Sequence, residues 1–90
     1  MLRELRGLIA LTTLDLGGCY HVTDVGLREL RGLTKLTTLW IDSCYHVTDV
    51  GIQHLSSLSA LTRLGLYATT TTQAGRNALK AALPALTILM

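Results

Sequence analysis

Three stretches, Leu11-Thr-Thr-Leu14-Asp-Leu16, Leu36-Thr-Thr-Leu39-Trp-Ile41 and Leu61-Thr-Arg-Leu64-Gly-Leu66, repeat one pattern at a step of 25 residues. A fourth copy opens at Leu86. Two longer stretches repeat at the same step: Cys19-Tyr-His-Val-Thr-Asp-Val-Gly26 returns unchanged as Cys44-Tyr-His-Val-Thr-Asp-Val-Gly51, and Arg3-Glu-Leu-Arg-Gly-Leu8 returns as Arg28-Glu-Leu-Arg-Gly-Leu33. Identity at this level and at a fixed period is the mark of a repeat array, in which each unit buries its apolar face only against its neighbours.

Within a unit, L-x-x-L-x-L alternates apolar and other positions as a strand does, because successive side chains point to opposite faces. Thr23-Asp24 and Thr48-Asp49 then read as helix starts: the threonine can cap free N–H groups, and aspartate suits the positive end of the helix dipole. Leu27, Leu30 and Leu33 follow at helical spacing, as do Ile52, Leu55 and Leu58. Each copy is expected to run strand, turn, helix and return. Stacked copies then put parallel strands about 4.8 Å apart on one side and helices on the other. Helices are wider than strands, so the stack is expected to curve, with the strands on its concave face and the helices on its convex face.

L-x-x-L-x-L-x-x-C followed by Val22-Thr-Asp-Val-Gly-Leu27 resembles the cysteine-containing class of leucine-rich repeats, over about three quarters of the chain. The resemblance implies an α/β leucine-rich-repeat solenoid of about three 25-residue repeats. That class is best known in the substrate-recognition part of F-box proteins of ubiquitin ligases, and similar repeats occur in many bacterial proteins. The resemblance therefore implies binding of proteins. It also implies that Cys19 and Cys44 are buried turn residues whose thiols help satisfy loop backbone, with the Thr69 hydroxyl in that place in the third copy.

The third copy departs from the pattern. Thr71-Thr-Gln-Ala-Gly75 replaces Val-Thr-Asp-Val-Gly, with one residue fewer before the glycine, and an alanine-rich helix, longer and partly capping, is expected from about Gln73 to Leu83, ending at Pro84. Leu86 to Met90 reads as a further strand with an unpaired edge, which invites pairing with a second chain. Residues 1–90 are expected to form one domain that begins and ends in partial repeats, without polar caps at either end. It is then either a fragment or a designed piece of a longer array, or a unit that forms homo-oligomers through apolar ends.

Ninety residues bury only about 60% of the surface of the unfolded chain, so the packing must be efficient. Of the residues, 49% are apolar, with no Phe and one Trp, a composition suited to many small equivalent core sites. Eight basic and six acidic residues give a net charge of +2, and the cations Arg3, Arg6, Arg28, Arg31, Lys35, Arg63, Arg76 and Lys80 form no tract of the kind nucleic acid requires. No apolar run reaches the length of a membrane span, and the first residues lack the apolar stretch of a signal peptide. With Cys19 and Cys44 in equivalent places of two repeats rather than in a disulfide framework, a cytoplasmic protein is expected.

Outward strand positions carry the candidate site. They are Thr13, Asp15 and Gly17, then Thr38, Trp40 and Asp42, then Arg63, Gly65 and Tyr67, with Ile88 and Met90 continuing the rows. Trp, Tyr and Arg dominate binding hot spots because they combine large contact area with a polar handle. Asp15, Thr38, Trp40, Asp42, Arg63 and Tyr67 are therefore the expected protein-binding face. The competing reading is that Trp40 and Tyr67 simply pair across neighbouring strands.

Cys19/His21 and Cys44/His46 offer four ligands of zinc-compatible chemistry, yet the repeat spacing already explains their recurrence, and alternation turns the histidines outward and the thiols inward. No metal, cofactor or catalytic residue is expected; nor is a Cys19–Cys44 disulfide. The serines Ser43, Ser56, Ser57 and Ser59 fall in no nucleophile motif, and His54 and the run Thr69 to Thr72 read as surface and turn. A non-enzymatic binding module is the expected class.

Overall fold

A computed structural model describes residues 9–90. It is an α/β structure with one four-stranded parallel sheet in the order β1-β2-β3-β4. The strands are β1 (Thr13–Asp15), β2 (Thr38–Trp40), β3 (Arg63–Gly65) and β4 (Thr87–Leu89). The helices are α1 (Asp24–Arg28), α2 (Asp49–Gln53) and α3 (Gln73–Ala82), the first two extended by 3-10 turns over Glu29–Gly32 and His54–Ser57. From their likeness to the second copy, Met1 to Ala10 are expected to be a helix and return, and residues 1–8 of that stretch lie outside the described residues.

The register joins residues one sequence period apart: Leu14 opposite Leu39 opposite Leu64, with Thr13, Thr38 and Arg63 in the row before and Asp15, Trp40 and Gly65 in the row after. Leu36, Leu39, Ile41, Leu61, Leu64 and Leu66 are buried, as are Leu27, Leu30 and Leu33 with their copies Ile52, Leu55 and Leu58. Strand and helix residues thus meet in one aliphatic core, and no polar or charged side chain of the described residues is buried in it. Removing so many leucine side chains from water, at about 1.5–3 kcal/mol each, is the dominant stabilising term.

Threonines tie the start of each strand to the one before. Thr37 Oγ1 donates to Thr12 O at 3.0 Å and Thr62 Oγ1 to Thr37 O at 3.3 Å, beside the backbone ladder. After each strand the chain turns through a left-handed residue: Gly18 (φ 74°), Ser43 (φ 63°) and Ala68 (φ 61°). Only the first is glycine, the residue with no steric objection to that conformation.

Thr23, Thr48 and Thr72 cap the three helices, accepting from Gly26 N, Val50 N and Gly75 N at 3.4, 3.3 and 3.1 Å. The aspartates behind two of these caps do more than face a helix dipole. Asp24 accepts from Thr48 N at 2.7 Å and from the Thr48 hydroxyl, and Asp49 accepts from Thr72 N at 2.8 Å and from the Thr72 hydroxyl. Each carboxylate thus clips its own unit to the next. Space for the clip comes from glycine: a Cβ on Gly51 would run into Asp24 Oδ1, and one on Gly75 into Asp49 Oδ1.

One expectation is corrected at the far end. Ile88 was expected to face outward in line with Arg63. Instead the register pairs Thr87 with Arg63 and Ile88 with Leu64, and Ile88 packs against the core. A slip of one residue exchanges the faces of a strand, so Thr87 takes the outward place. At the same end α3 carries polar groups, as a partly capping helix would. Arg76 stands where α1 and α2 carry the buried Leu27 and Ile52, and its Nη1 donates to Thr71 O (2.9 Å) and Thr71 Oγ1 (3.1 Å). Lys80 Nζ donates to Leu86 O at 2.9 Å, and Gln73 Nε2 to Asn77 Oδ1 at 2.8 Å. The last helix closes the core with polar groups because its sequence has exchanged aliphatic for polar residues there.

Among the described residues no helix is long and apolar enough to cross a membrane.

Candidate functional site

The outward face of the sheet is assembled from one short strand per unit. The inward row Leu14, Leu39, Leu64 fixes which residues face out, since alternation leaves their neighbours on the other side. Asp15, Trp40 and Gly65 therefore stand side by side at the strand ends, and Thr38 stands between Thr13 and Arg63.

Arg63 reaches diagonally to Trp40, its guanidinium carbon 5.5 Å from the ring centroid. That is cation–π distance, contributing about 0.5–1 kcal/mol at an exposed site. The ring itself lies over Gly65: a Cβ there would overlap Trp40 and sit 2.5 Å from Asp42 Oδ2. Gly65 is thus the seat of the tryptophan, a role that a glycine inside a strand pattern advertises as a place of close approach.

Asp42 and Tyr67 meet through backbone. Tyr67 N donates to Asp42 Oδ1 at 2.9 Å, while Gly17 N donates to Asp15 Oδ1 at 2.8 Å. Each carboxylate keeps one oxygen for a turn and has a second for other company. Tyr67 is 63% exposed, so its ring is available along most of its surface.

The structure separates one expected pair. Trp40 is opposite Gly65, and Tyr67 lies two residues further on, opposite Asp42; the stacked aromatic pair is instead Tyr20 with Tyr45, ring centroids 5.9 Å apart and planes 18° from parallel. Those two tyrosines follow the cysteines on the loops beyond the strands, and their identical places in the repeat were the signal for this contact.

Cys44 is buried, and its thiol donates to Leu16 O of the preceding unit at 3.2 Å. Burial pushes its pKa up. Cys19 is half-buried with its sulfur 4.0 Å from Gly17 O, and Thr69 Oγ1 donates to Leu66 O within its own turn at 2.8 Å. His21 and His46 are exposed, and among the described residues no group of three or more Cys, His, Asp or Glu is placed to hold a metal ion.

Comparison with models of known protein families and with curated proteins finds no match to this sequence. The candidate site therefore rests on its own geometry.

Proposed function

We propose that the chain is a leucine-rich-repeat solenoid of the cysteine-containing class, a non-enzymatic scaffold that holds a protein partner on its strand face. One observation carries this reading: Trp40 and Arg63 are locked together on the outer face of a sheet whose other face already contains a complete aliphatic core. Burial of the core does not need an indole there. An indole seated on glycine, with a guanidinium over it and Tyr67 exposed nearby, loses little conformational freedom when a partner covers it, which is the economy that makes Trp, Tyr and Arg hot-spot residues. Asp15, Asp42 and Thr38 supply the surrounding polar contacts. Both cysteines are free, which supports a reducing, cytoplasmic setting.

The test is selection of peptides or small domains from a random display library on the immobilised chain, followed by titration of the selected ligands against W40A/R63A. Ligands of the strand face lose at least tenfold in affinity. Ligands that bind the double variant as tightly as the parent refute the proposal.

A second reading, homo-oligomerisation through an end of the stack, is favoured by one observation. Leu11 and Leu14 keep partial exposure where their copies Leu36, Leu39, Leu61 and Leu64 are buried. Sedimentation equilibrium decides it: a mass that rises with concentration and falls back in L14E supports self-association, and a monomer at all concentrations rejects it.

A further inference from the structure

α3 and β4 carry chemistry of their own, apart from the strand face. Between α3 and β4 lies a cleft of about 300 Å³, lined by Gln73, Arg76, Asn77, Lys80, Ile88 and Met90 with Thr87 at its edge. The volume is at the lower end of the range of small-molecule sites. Two cations and no Asp or Glu side chain line it, and the Asp49 carboxylate stands near enough to Arg76 to interact with it electrostatically.

The donors there exceed the acceptors. Lys80 gives one of its three protons to Leu86 O, and Arg76 commits Nη1 to Thr71 while Nε and Nη2 have no partner among the described residues. Asn77 accepts from Gln73 through Oδ1, which leaves the amide NH2 of Asn77 as a donor. Thr87 N donates to Thr62 O and Leu89 O accepts from Leu66 N, so both residues turn their backbone groups toward β3. Alternation along the strand then turns the N–H of Ile88 outward on the cleft side. Ile88 and Met90 provide an apolar wall, and Met90 is 62% exposed.

The way Arg76 is held separates this from a solvated cap. It takes the place of the buried Leu27 and Ile52 of the first two helices. Arg76 is also half-buried and anchored by two hydrogen bonds to Thr71, so its remaining N–H groups are held in fixed directions rather than waving in water. A pre-positioned guanidinium beside an ammonium is the geometry that recognises oxyanions.

We propose that this cleft binds a small organic oxyanion, a carboxylate or phosphate carried on a compact apolar body. Arg76, Lys80 and the Asn77 amide hold the anionic group, and Ile88 with Met90 covers the apolar part. Benzoate, phenyl phosphate and inorganic phosphate are the probes, titrated against the 15N-labelled protein by NMR at low salt. At least one of the two aromatic anions shifts the Lys80, Asn77 and Met90 resonances saturably, and which of them binds more tightly separates carboxylate from phosphate as the preferred group. Inorganic phosphate binds at least fivefold more weakly than phenyl phosphate.

K80Q keeps a donor for Leu86 O but removes the charge, and weakens binding at least fivefold; R76Q weakens it at least tenfold. Circular dichroism and a urea midpoint establish that each variant is folded, and K80Q alone suffices if R76Q is not. Shifts that stay linear with ligand concentration overturn the proposal, as does binding unchanged in folded K80Q. Inorganic phosphate binding as tightly as phenyl phosphate overturns the apolar half of the assignment. The strand-face variant W40A/R63A leaves these titrations unchanged, which keeps the two sites experimentally distinct.

Discussion

Replacing Gly51 by alanine tests the clip that joins consecutive units. In most helices the change is favourable, because glycine at an interior position is destabilising by about 0.5–1 kcal/mol relative to alanine. Here the added methyl would collide with Asp24 Oδ1 and stand 3.0 Å from its Cγ, so the carboxylate must swing away. It then gives up the bonds from Thr48 N and the Thr48 hydroxyl. Charge-assisted bonds contribute about 1.5–3 kcal/mol each, and the half-exposed carboxylate recovers water, so the pair is taken at about 2–3 kcal/mol in total. Set against the helix gain, G51A is destabilising by about 1–2 kcal/mol. In a D24A background the carboxylate and its two bonds are gone, and the Cα of residue 24, 3.1 Å from the added methyl, still crowds it. That crowding offsets part of the helix gain, so the same substitution lies between neutral and about 1 kcal/mol stabilising. The destabilisation is therefore relieved, and the coupling between positions 24 and 51 is about 2–3 kcal/mol, well beyond the ~0.5 kcal/mol scatter of independent sites. Urea denaturation of the four proteins of this cycle, compared at common slope, measures it. Additivity within about 0.5 kcal/mol, or a parent protein stabilised by G51A, would falsify the clip.

Three further outcomes follow from burial and charge. L39A is destabilising by about 2.7–5 kcal/mol and L14A by less, because Leu39 is sealed between two neighbouring units while Leu14 is half-exposed; equal urea midpoints for the two variants would contradict the shared core. With a thiol reagent at pH 8, Cys19 reacts in the native state and Cys44 only on unfolding, since burial raises the Cys44 pKa and removes its access; two equally fast equivalents contradict this. The hydrogen bonds from the Thr72 hydroxyl and N–H hold the Asp49 carboxyl below its ordinary 3.8. Its contribution to stability is therefore present above that value and lost as pH falls through the lower folded one, and D49N flattens the dependence of the urea midpoint on pH in that acid range.

The period was legible because the core positions obey it with so few exceptions: every aliphatic residue expected inside units two and three is buried. Helix starts at Thr23 and Thr48 were legible for a local reason, since a cap is decided within four residues. The last helix, expected from about Gln73 to Leu83, spans Gln73–Ala82 with Leu83 as its cap. What escaped the sequence is contact across units. Asp24 and Asp49 read as first-turn acids because their partners, Thr48 and Thr72, lie a full repeat away, and nothing in local pattern points there. The left-handed turn was hidden by the exchange of Gly18 for Ser43 and Ala68. Ile88 went to the wrong face because the strand pattern from Leu86 onward was aligned by its leucines, and β4 slips one residue against that alignment. Of the candidate face, the outward rows were legible from alternation; the seat under Trp40 was not, because Gly65 was read only as an outward position without a side chain.

The clip gives the stack a direction, and that direction accounts for where the chemistry of the chain changes. Each aspartate acts on the following unit and requires a threonine and a glycine there: Asp24 holds Thr48 and needs Gly51, and Asp49 holds Thr72 and needs Gly75. In the third unit the donating half of the motif, Thr72 with Gly75 beside it, is intact while the accepting carboxylate is gone. Gln73 stands where the next carboxylate belongs and bonds Asn77 in its own helix instead. Arg76 replaces the aliphatic residue of the same unit, so two positions of α3 depart from the pattern of the first two helices together. Stacking in this chain rests on the inward side chains, the clip line and the threonine ties, and the side chains of Thr13, Thr38 and Thr87 take part in none of these. That is why Thr13, Thr38, Arg63 and Thr87 can differ along one row while Leu14, Leu39, Leu64 and Ile88 stay aliphatic along the next. A variable surface on a regular framework suits the recognition role proposed above, and under that proposal the Trp40–Arg63 pair is where the surface is used.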